Sequence, residues 1–330
     1  MIGNMAGAKA IFLISVLLLT LVIAPFIGGT AIDLQEILSG DVGRQIMFEL
    51  RMPRVVFAFL VGFSLALIGA VFQALLRNDL ATPYTLGVSS GGSLGAVLAI
   101  KSGFLLQWAG FSAIVIFSVA GSLLTIMIIY FIARSRHGMS PLTLVLTGVT
   151  ISLLFSSLIL FIHYLADFTE TYRMIRWLMG GLQISGWQYP LTLMPFTIIT
   201  FLYLFYHSHS INILSTGHEM AMSKGVDVLR LQKQIFFGGS VLIGVVVAFA
   251  GPIGFIGLII PHLVRLLLGP DHKVILPAGA VAGGIFLVWC DTLARTVIAP
   301  AELPVGIITA MIGGPFFMWL LLKHTRKRAL

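Results

Sequence analysis

Three groups of residues in this chain have the types and spacing to do chemistry, and none of them is a catalytic set. Glu219, Ala221 and Gly225 stand as E-x-A-x-x-x-G within HSHSINILSTGHEMAMSKGVDVLRLQK, residues 207–233, the longest polar interruption in the sequence. An acid, a small residue and a helix breaker at that spacing suit two short helices broken at Gly225, a surface built to be pushed. Asp291 precedes Arg295 by four residues in FLVWCDTLARTV. On a helix that places both on one face with the acid N-terminal, the favourable order for an ion pair. Arg51 and Arg54, in RMPR, form the third group. Their guanidinium forks suit bidentate pairing with carboxylates, either a partner's or those of Glu36, Asp41 and Glu49 nearby.

What is missing is as informative. No G-x-x-x-x-G-K-[ST] occurs, so the chain carries no Walker-type phosphate loop, and a surface built to be pushed then implies a separate motor chain. No H-E-x-x-H or paired-histidine spacing occurs either. His207 and His209 read as snorkelling polar residues at a span end, and His163 as a satisfied or interfacial histidine. The single cysteine, Cys290, lies in an apolar run, which excludes a disulfide framework and a cysteine-based metal site. We therefore expect no catalytic residue, no metal and no cofactor.

The elements that must position these groups are membrane helices. Of the 330 residues, 58% are hydrophobic and only 10% charged, and the mean hydropathy is +1.04. Soluble domains carry roughly a quarter charged residues, so a soluble globular fold is excluded. Continuous rather than alternating apolar runs argue against a β-barrel. The net charge of +8 then reflects the positive-inside bias and not nucleic acid. Hydropathy marks eight spans, at about 10–28, 54–76, 111–133, 142–166, 188–206, 234–251, 276–298 and 305–322. The first is long and lacks a small-residue cleavage site, so it is expected to be retained. Two shorter glycine-rich segments, about 86–101 and 253–268, read as spans or re-entrant pieces. Counting them as spans, with the N-terminus cytoplasmic, puts 13 of the 20 basic residues inside, together with the 207–233 island. Omitting them evens out the charge and strands the island outside. Ten spans, both ends cytoplasmic, and one transmembrane domain over 1–330 are therefore expected.

Small residues recur at four-residue spacing on the helix faces: Gly62, Ala66 and Ala70; Gly87, Gly91 and Gly95; Gly279 and Gly283; Gly306, Ala310 and Gly314. Lipid offers no hydrophobic force between helices, so close backbone approach must supply the packing. The two short spans each involve a proline-containing segment, DLATPYTLGVSSGG and AGPIGFIGLIIPH. They take second place in two four-span groups with opposite starting sides, the pattern of an inverted repeat. Interrupted segments at matching positions point toward a transport path, here through Gly87, Ser89, Ser90 and Gly91.

Two long stretches carry a family resemblance. RMPRVVFAFLVGFSLALIGAVFQALLRNDLATPYTLGVSSGGSLGAVLA is similar to the signature region of the FecCD-type permeases, the membrane subunits of bacterial ABC importers for iron-siderophores, haem and cobalamin. AGPIGFIGLIIPHLVRLLLGPDHKVILPAGA, followed by DTLARTVIAPAELPVGIITAMIGGPFFMWLLLK, resembles the same family over nearly the whole C-terminal third. The resemblance spans about residues 45 to 325. It implies an all-α, ten-span permease of the type II importer fold in the bacterial inner membrane, working as a homodimer with the path at its interface. Two cytoplasmic ATPases would bind below, and an extracytoplasmic substrate-binding protein would dock above. The resemblance further implies that 217–231, with Gly217, Glu219, Ala221, Gly225 and Leu229, forms the coupling helices in a cleft of the ATPase. His262 and Arg265 would lie on the same face, and Arg51, Arg54 and Arg295 would pair with acidic residues of the binding protein. The family's inner gate falls at about 139–142, with Met139, Pro141 and Leu142. Pro141 and Leu142 stand where cobalamin-transporting members carry a polar pair, so the gate chemistry departs from theirs.

Two rival readings make different demands. An ion-coupled secondary transporter would use Asp291 as its coupling carboxylate, yet Arg295 is placed to neutralise it. A membrane-embedded enzyme would need a nucleophile or metal constellation that the sequence lacks. Within the family, related permeases carry oxyanions such as molybdate, and the sequence leaves the substrate open.

Overall fold

The computed structural model describes residues 2–28, 40–82, 84–104, 107–108, 110–134 and 141–328; Met139 lies outside them. The described fold is helical apart from one two-stranded ribbon, Gln107–Trp108 with Phe111–Ser112. In chain order the helices are α1 (Ile2–Ile23), α2 (Asp41–Gln45), α3 (Met52–Leu76), α4 (Val88–Ser102), α5 (Ala113–Arg134), α6 (Pro141–Tyr164) and α7 (Phe168–Leu178). They continue with α8 (Gln188–Tyr206), α9 (Ser208–Thr216), α10 (His218–Ser223), α11 (Val228–Ala250), α12 (Ile256–Leu268), α13 (His272–Thr296) and α14 (Val305–Arg328). A π-helical turn, Ile46–Arg51, joins α2 to α3. Six helices, those carrying α3, α5, α6, α8, α11 and α13, are long and apolar enough to cross a membrane outright. The helices α1, α4, α12 and α14 stand at the remaining expected spans.

The centre of the bundle is α3, which is buried along almost its whole length and packs most extensively on α13. Their axes approach because neither has a side chain at the crossing. A Cβ on Gly62 would stand 2.8 Å from Leu287 Cβ, and one on Gly283 would stand 2.6 Å from the Gly62 carbonyl. Gly69 meets the backbone of Gly257 on α12, and Gly91 meets Gly121 across α4 and α5. The four-residue stripes are thus packing seams, with two exceptions. Gly279 faces open space, and in α14 it is Gly313, not Gly314, that is pressed against Phe255.

Helix pairing bears out the inverted repeat. If α3, α4, α5 and α6 correspond to α11, α12, α13 and α14, the main contacts of one half have their counterparts. The α3–α13 pair mirrors α11–α5, α3–α12 mirrors α11–α4, and α4–α5 mirrors α12–α13. The α4–α6 contact mirrors α12–α14, and α3 packs on its own equivalent α11.

The two interrupted segments explain why α4 and α12 are short. A 15-residue helix rises only about 22 Å, less than a ~30 Å hydrocarbon core. Non-helical backbone leads into each, at residues 84–87 and 251–255, and such backbone survives at membrane depth only when buried in protein. The two pieces satisfy each other: the Tyr84 hydroxyl donates to the Ile253 carbonyl at 2.5 Å and lies 2.5 Å from the Ile253 amide. Phe255 enters α12 at φ +70°, a left-handed conformation costly for a bulky residue and held here by packing on Gly313.

The seam makes a paired prediction on one helix. Gly283→Ala should lose about 1–3 kcal/mol by overpacking, whereas Gly279→Ala, with open space around it, should be neutral or gain up to about 1 kcal/mol in helix propensity. Thermal unfolding of the detergent-purified variants separates them; equal Tm values would refute the seam.

Candidate functional site

The charged residues gather at the two ends of the bundle. At one end Arg54, in the first turn of α3, meets Asp291 near the C-terminus of α13. Arg54 Nη2 donates to Asp291 Oδ1 at 2.8 Å and Nε to Oδ2 at 3.0 Å. Its remaining fork, Nη1, reaches Glu302 Oε2 at 2.9 Å. Arg295, one turn after Asp291 as its spacing requires, pairs with Oδ2 at 3.2 Å and donates to Thr292 Oγ1 at 3.1 Å. Arg51 Nη1 donates to the carbonyl of Pro25 at 3.2 Å, tying the end of α1 to the π-turn. Burial alone would raise the Glu302 carboxyl, but the Arg54 charge and a 2.8 Å bond from Gln183 hold it below the usual range. Arg176 of α7 extends the chain by donating to Gln183 at 2.8 Å.

Around the Arg54–Asp291 pair three guanidinium groups, Arg51, Arg54 and Arg295, stand against two carboxylates, Asp291 and Glu302, with Arg176 further out beyond Gln183. All three arginines border one cavity of about 630 Å³, together with Glu302. They are only 7%, 9% and 5% exposed, so they do not project into solvent as the sequence suggested. Arg54 and Arg295 are engaged within the chain, and a partner could reach them only through the cavity. The excess positive charge, not free side chains, is what a partner would find.

At the opposite end lies the 207–233 segment. It forms two short helices, but the break between them is Gly217 (φ +138°), not Gly225. Gly225 (φ +78°) instead ends the turn after α10, and Asp227 caps α11 by accepting from the Arg230 amide at 3.0 Å. Within the motif the roles divide by size. Ala221 is fully buried against the bundle, which only a small residue allows, and Glu219 is exposed beside Met220, Met222 and Leu229. A bond between the rings and amides of His218 and Gln232, 3.0 Å, fixes α10 to α11. Pro141 and Glu219 border a common cavity of about 680 Å³, and Leu142, next to Pro141, is exposed.

Arg265 is held differently. Its guanidinium donates to Asp79 at 2.6 Å and Gln73 at 2.9 Å, pinning α12 to the end of α3, while His262 is half-buried one turn earlier. Gly87, Ser89 and Gly91 are buried, with Gly87 against Gly148 of α6 and Gly91 against α5; Ser90 is half-buried. The structure gives these residues a packing role in place of the path lining expected of them.

Three features escaped sequence reasoning. Glu302 and Gln183 sit in loops far from Arg54 in sequence, with no local signal. Helix α7 had a signal: Asp167 and Glu170 form a reciprocal capping box, the D-x-x-E spacing that marks a helix start. The third is a polar clamp: Asn212 of α9 donates to Asp271 Oδ1 at 2.6 Å, and its own oxygen accepts from the amide and Nδ1 of His272 at 2.8 and 2.7 Å. The Lys273 amide and this Asn212 bond hold the Asp271 carboxyl below its ordinary range. The clamp fastens the 207–233 segment to the N-terminus of α13, whose other end carries Asp291.

Asp291→Asn removes the counter-charge of two buried arginines and should destabilise the protein by about 3–5 kcal/mol. Replacing Arg295 with Gln in the same chain should recover part of that loss. Denaturation of the single and double variants decides it, and strict additivity of the two changes would mean that the residues do not interact.

Residues 16–323 match the family described as the FecCD transport family. The chain is 43% identical over 283 residues to an uncharacterized ABC transporter permease protein, YvrB, of Bacillus subtilis, covering 85% of this chain and 80% of that one. It is 36% identical to the hemin transport system permease protein HmuU of Yersinia pestis, covering 88% and 87%. Among solved structures, an inward-facing putative metal-chelate type ABC transporter superposes with a TM-score of 0.86 at 32% identity, over 96% of this chain and 99% of that one. The match runs through both interrupted segments, the arginine end and the 207–233 segment. The chain belongs to the FecCD transport family: it is an ABC transporter permease, a component of transport and not an enzyme.

Proposed function

We propose that the chain is one half of a homodimeric inner-membrane importer that passes a bulky metal chelate, siderophore-bound iron or haem, or a corrinoid into the cytoplasm. Two ATPases drive it from the 207–233 face, and a binding protein loads it at the arginine end. The observation that carries this reading is mechanical. One rigid pair, α3 with α13, ties the two faces together, with Asn212 clamped at one end of α13 and Arg54 bonded to Asp291 at the other. Helix α13 alone spans 25 residues, about 37 Å, so tilting it at the coupling face moves the arginine end. The hemin name of the Yersinia relative and the metal-chelate neighbour favour a chelate over an oxyanion. A second copy is favoured by α6, which exposes Leu146, Thr150, Leu153 and Ser157 on one face, a mixture of hydroxyls and apolar groups suited to a path.

The 630 Å³ cavity suggests how loading works. An acidic side chain of the binding protein would enter beside Glu302 and take up the excess positive charge of Arg51, Arg54 and Arg295. Asp291, held by two arginines, is poorly placed to release a proton or sodium ion, which tells against an ion-coupled carrier.

Permease reconstituted with its ATPase and binding protein should take up iron chelate, haem or cobalamin only with ATP. Uptake in the absence of the ATPase would sink the proposal. Gly225→Trp meets no neighbouring atom and its positive φ strains only an exposed turn, so the protein should fold with a modest loss of stability, but ATP hydrolysis should continue with uptake reduced tenfold or more, about 1.4 kcal/mol of lost coupling; unchanged uptake would remove the coupling role. Glu302→Gln should tighten binding-protein docking by roughly fivefold, about 1 kcal/mol, by freeing Arg54; weaker docking in a surface-binding assay would contradict the cavity mechanism.

A further inference from the structure

A second basic cavity opens where α8 leaves the apolar layer. It holds about 350 Å³ between the end of α8, helix α9 and the turn into α11, and its polar lining includes His207, His209, Lys224, Asp227, Arg230 and Gln234. Lys224 makes no side-chain hydrogen bond or ion pair among the described residues, and Arg230 is largely exposed. The one acid, Asp227, caps the Arg230 amide and stands 3.5 Å from its Nε, so it offsets only one of the two cations. The N-terminus of the 23-residue helix α11 also abuts the cavity and adds positive potential. His207 donates from Nδ1 to the Tyr203 carbonyl at 3.0 Å, and its ring packs on Tyr203 and Tyr206, which fixes its place at the cavity wall.

What lies beside the cavity identifies the occupant. Leu191, Ile198, Ile199, Leu202, Phe205 and Tyr206 form one exposed stripe along α8, ending at the cavity mouth. Unlike the exposed face of α6, this stripe carries no aliphatic hydroxyl, and Tyr206 at its end, 82% exposed, has the position of an interfacial belt aromatic. An acyl chain fits the stripe, and an anionic headgroup fits the cavity. Arg230 would supply a planar fork to a phosphate, and Lys224 a point charge.

We propose that this cavity binds the phosphate of an anionic phospholipid whose acyl chains lie along α8. It requires only that α8 crosses a bilayer; because Lys224 and Arg230 belong to the face proposed above for the ATPases, the test uses the permease without them. The test places the full-length protein in nanodiscs of phosphatidylcholine containing one-fifth phosphatidylglycerol, and counts lipid retained on release by native mass spectrometry. Phosphatidylglycerol should be retained in preference to phosphatidylcholine, with retention weakened about fivefold by either Lys224→Gln or Arg230→Gln. Lys233→Gln, on the same exposed helix end but outside the cavity, should leave retention unchanged. Equal retention of the two lipids, or variants that retain phosphatidylglycerol like the parent, would overturn the proposal. So would full displacement of the lipid by millimolar inorganic phosphate, which would assign the cavity to a soluble anion.

Discussion

Close approach of glycine backbones on α3 and α13 sets the distance from which everything else in the bundle follows. In lipid, helices gain nothing by hiding apolar side chains from one another, so contact depends on van der Waals fit and on polar groups that lipid cannot satisfy. Gly62 and Gly283 supply the fit. With the axes that near, the first turn of α3 is brought against the last turn of α13, and Arg54 reaches Asp291 with both its Nε and Nη2 groups. The ion pair is thus a consequence of the seam as well as a lock upon it.

The same constraint explains the interrupted helices. Backbone at residues 84–87 and 251–255 gives up helical hydrogen bonds, a loss that would be prohibitive against lipid. Burying both pieces at the centre, where Tyr84 meets Ile253, turns two liabilities into a contact between the repeats. The left-handed Phe255 is tolerated because Gly313 leaves room for it. Where the chain departs from regular structure, the departure is enclosed by the repeat partner.

Charge is divided between the ends in two different ways. At one end it is buried and nearly balanced, with a surplus of guanidinium facing a cavity. At the other it is spread over exposed short helices anchored by Ile211, Leu214 and Ala221 seated in the bundle and by Asn212 clamped to Asp271 and His272. The first arrangement resists motion, and the second presents a surface. A lever needs both.

The sequence by itself determined the class of fold, the positions of the spans, the small-residue seams and the 207–233 segment, because each rests on composition or on a helical period that repeats within a few residues. It also placed Arg295 on the same helix face as Asp291, four residues away. Only the tertiary structure decided that Arg54, 237 residues from Asp291, is the stronger partner, that Glu302 completes the cluster, and that Arg51, Arg54 and Arg295 are sheltered rather than projecting. It also moved the helix break from Gly225 to Gly217 and gave Gly87, Ser89 and Gly91 to packing. The reason is physical. Period and hydropathy report which face of a helix is apolar, but which helix covers that face depends on how closely backbones can approach, and that is settled only when all the helices pack together.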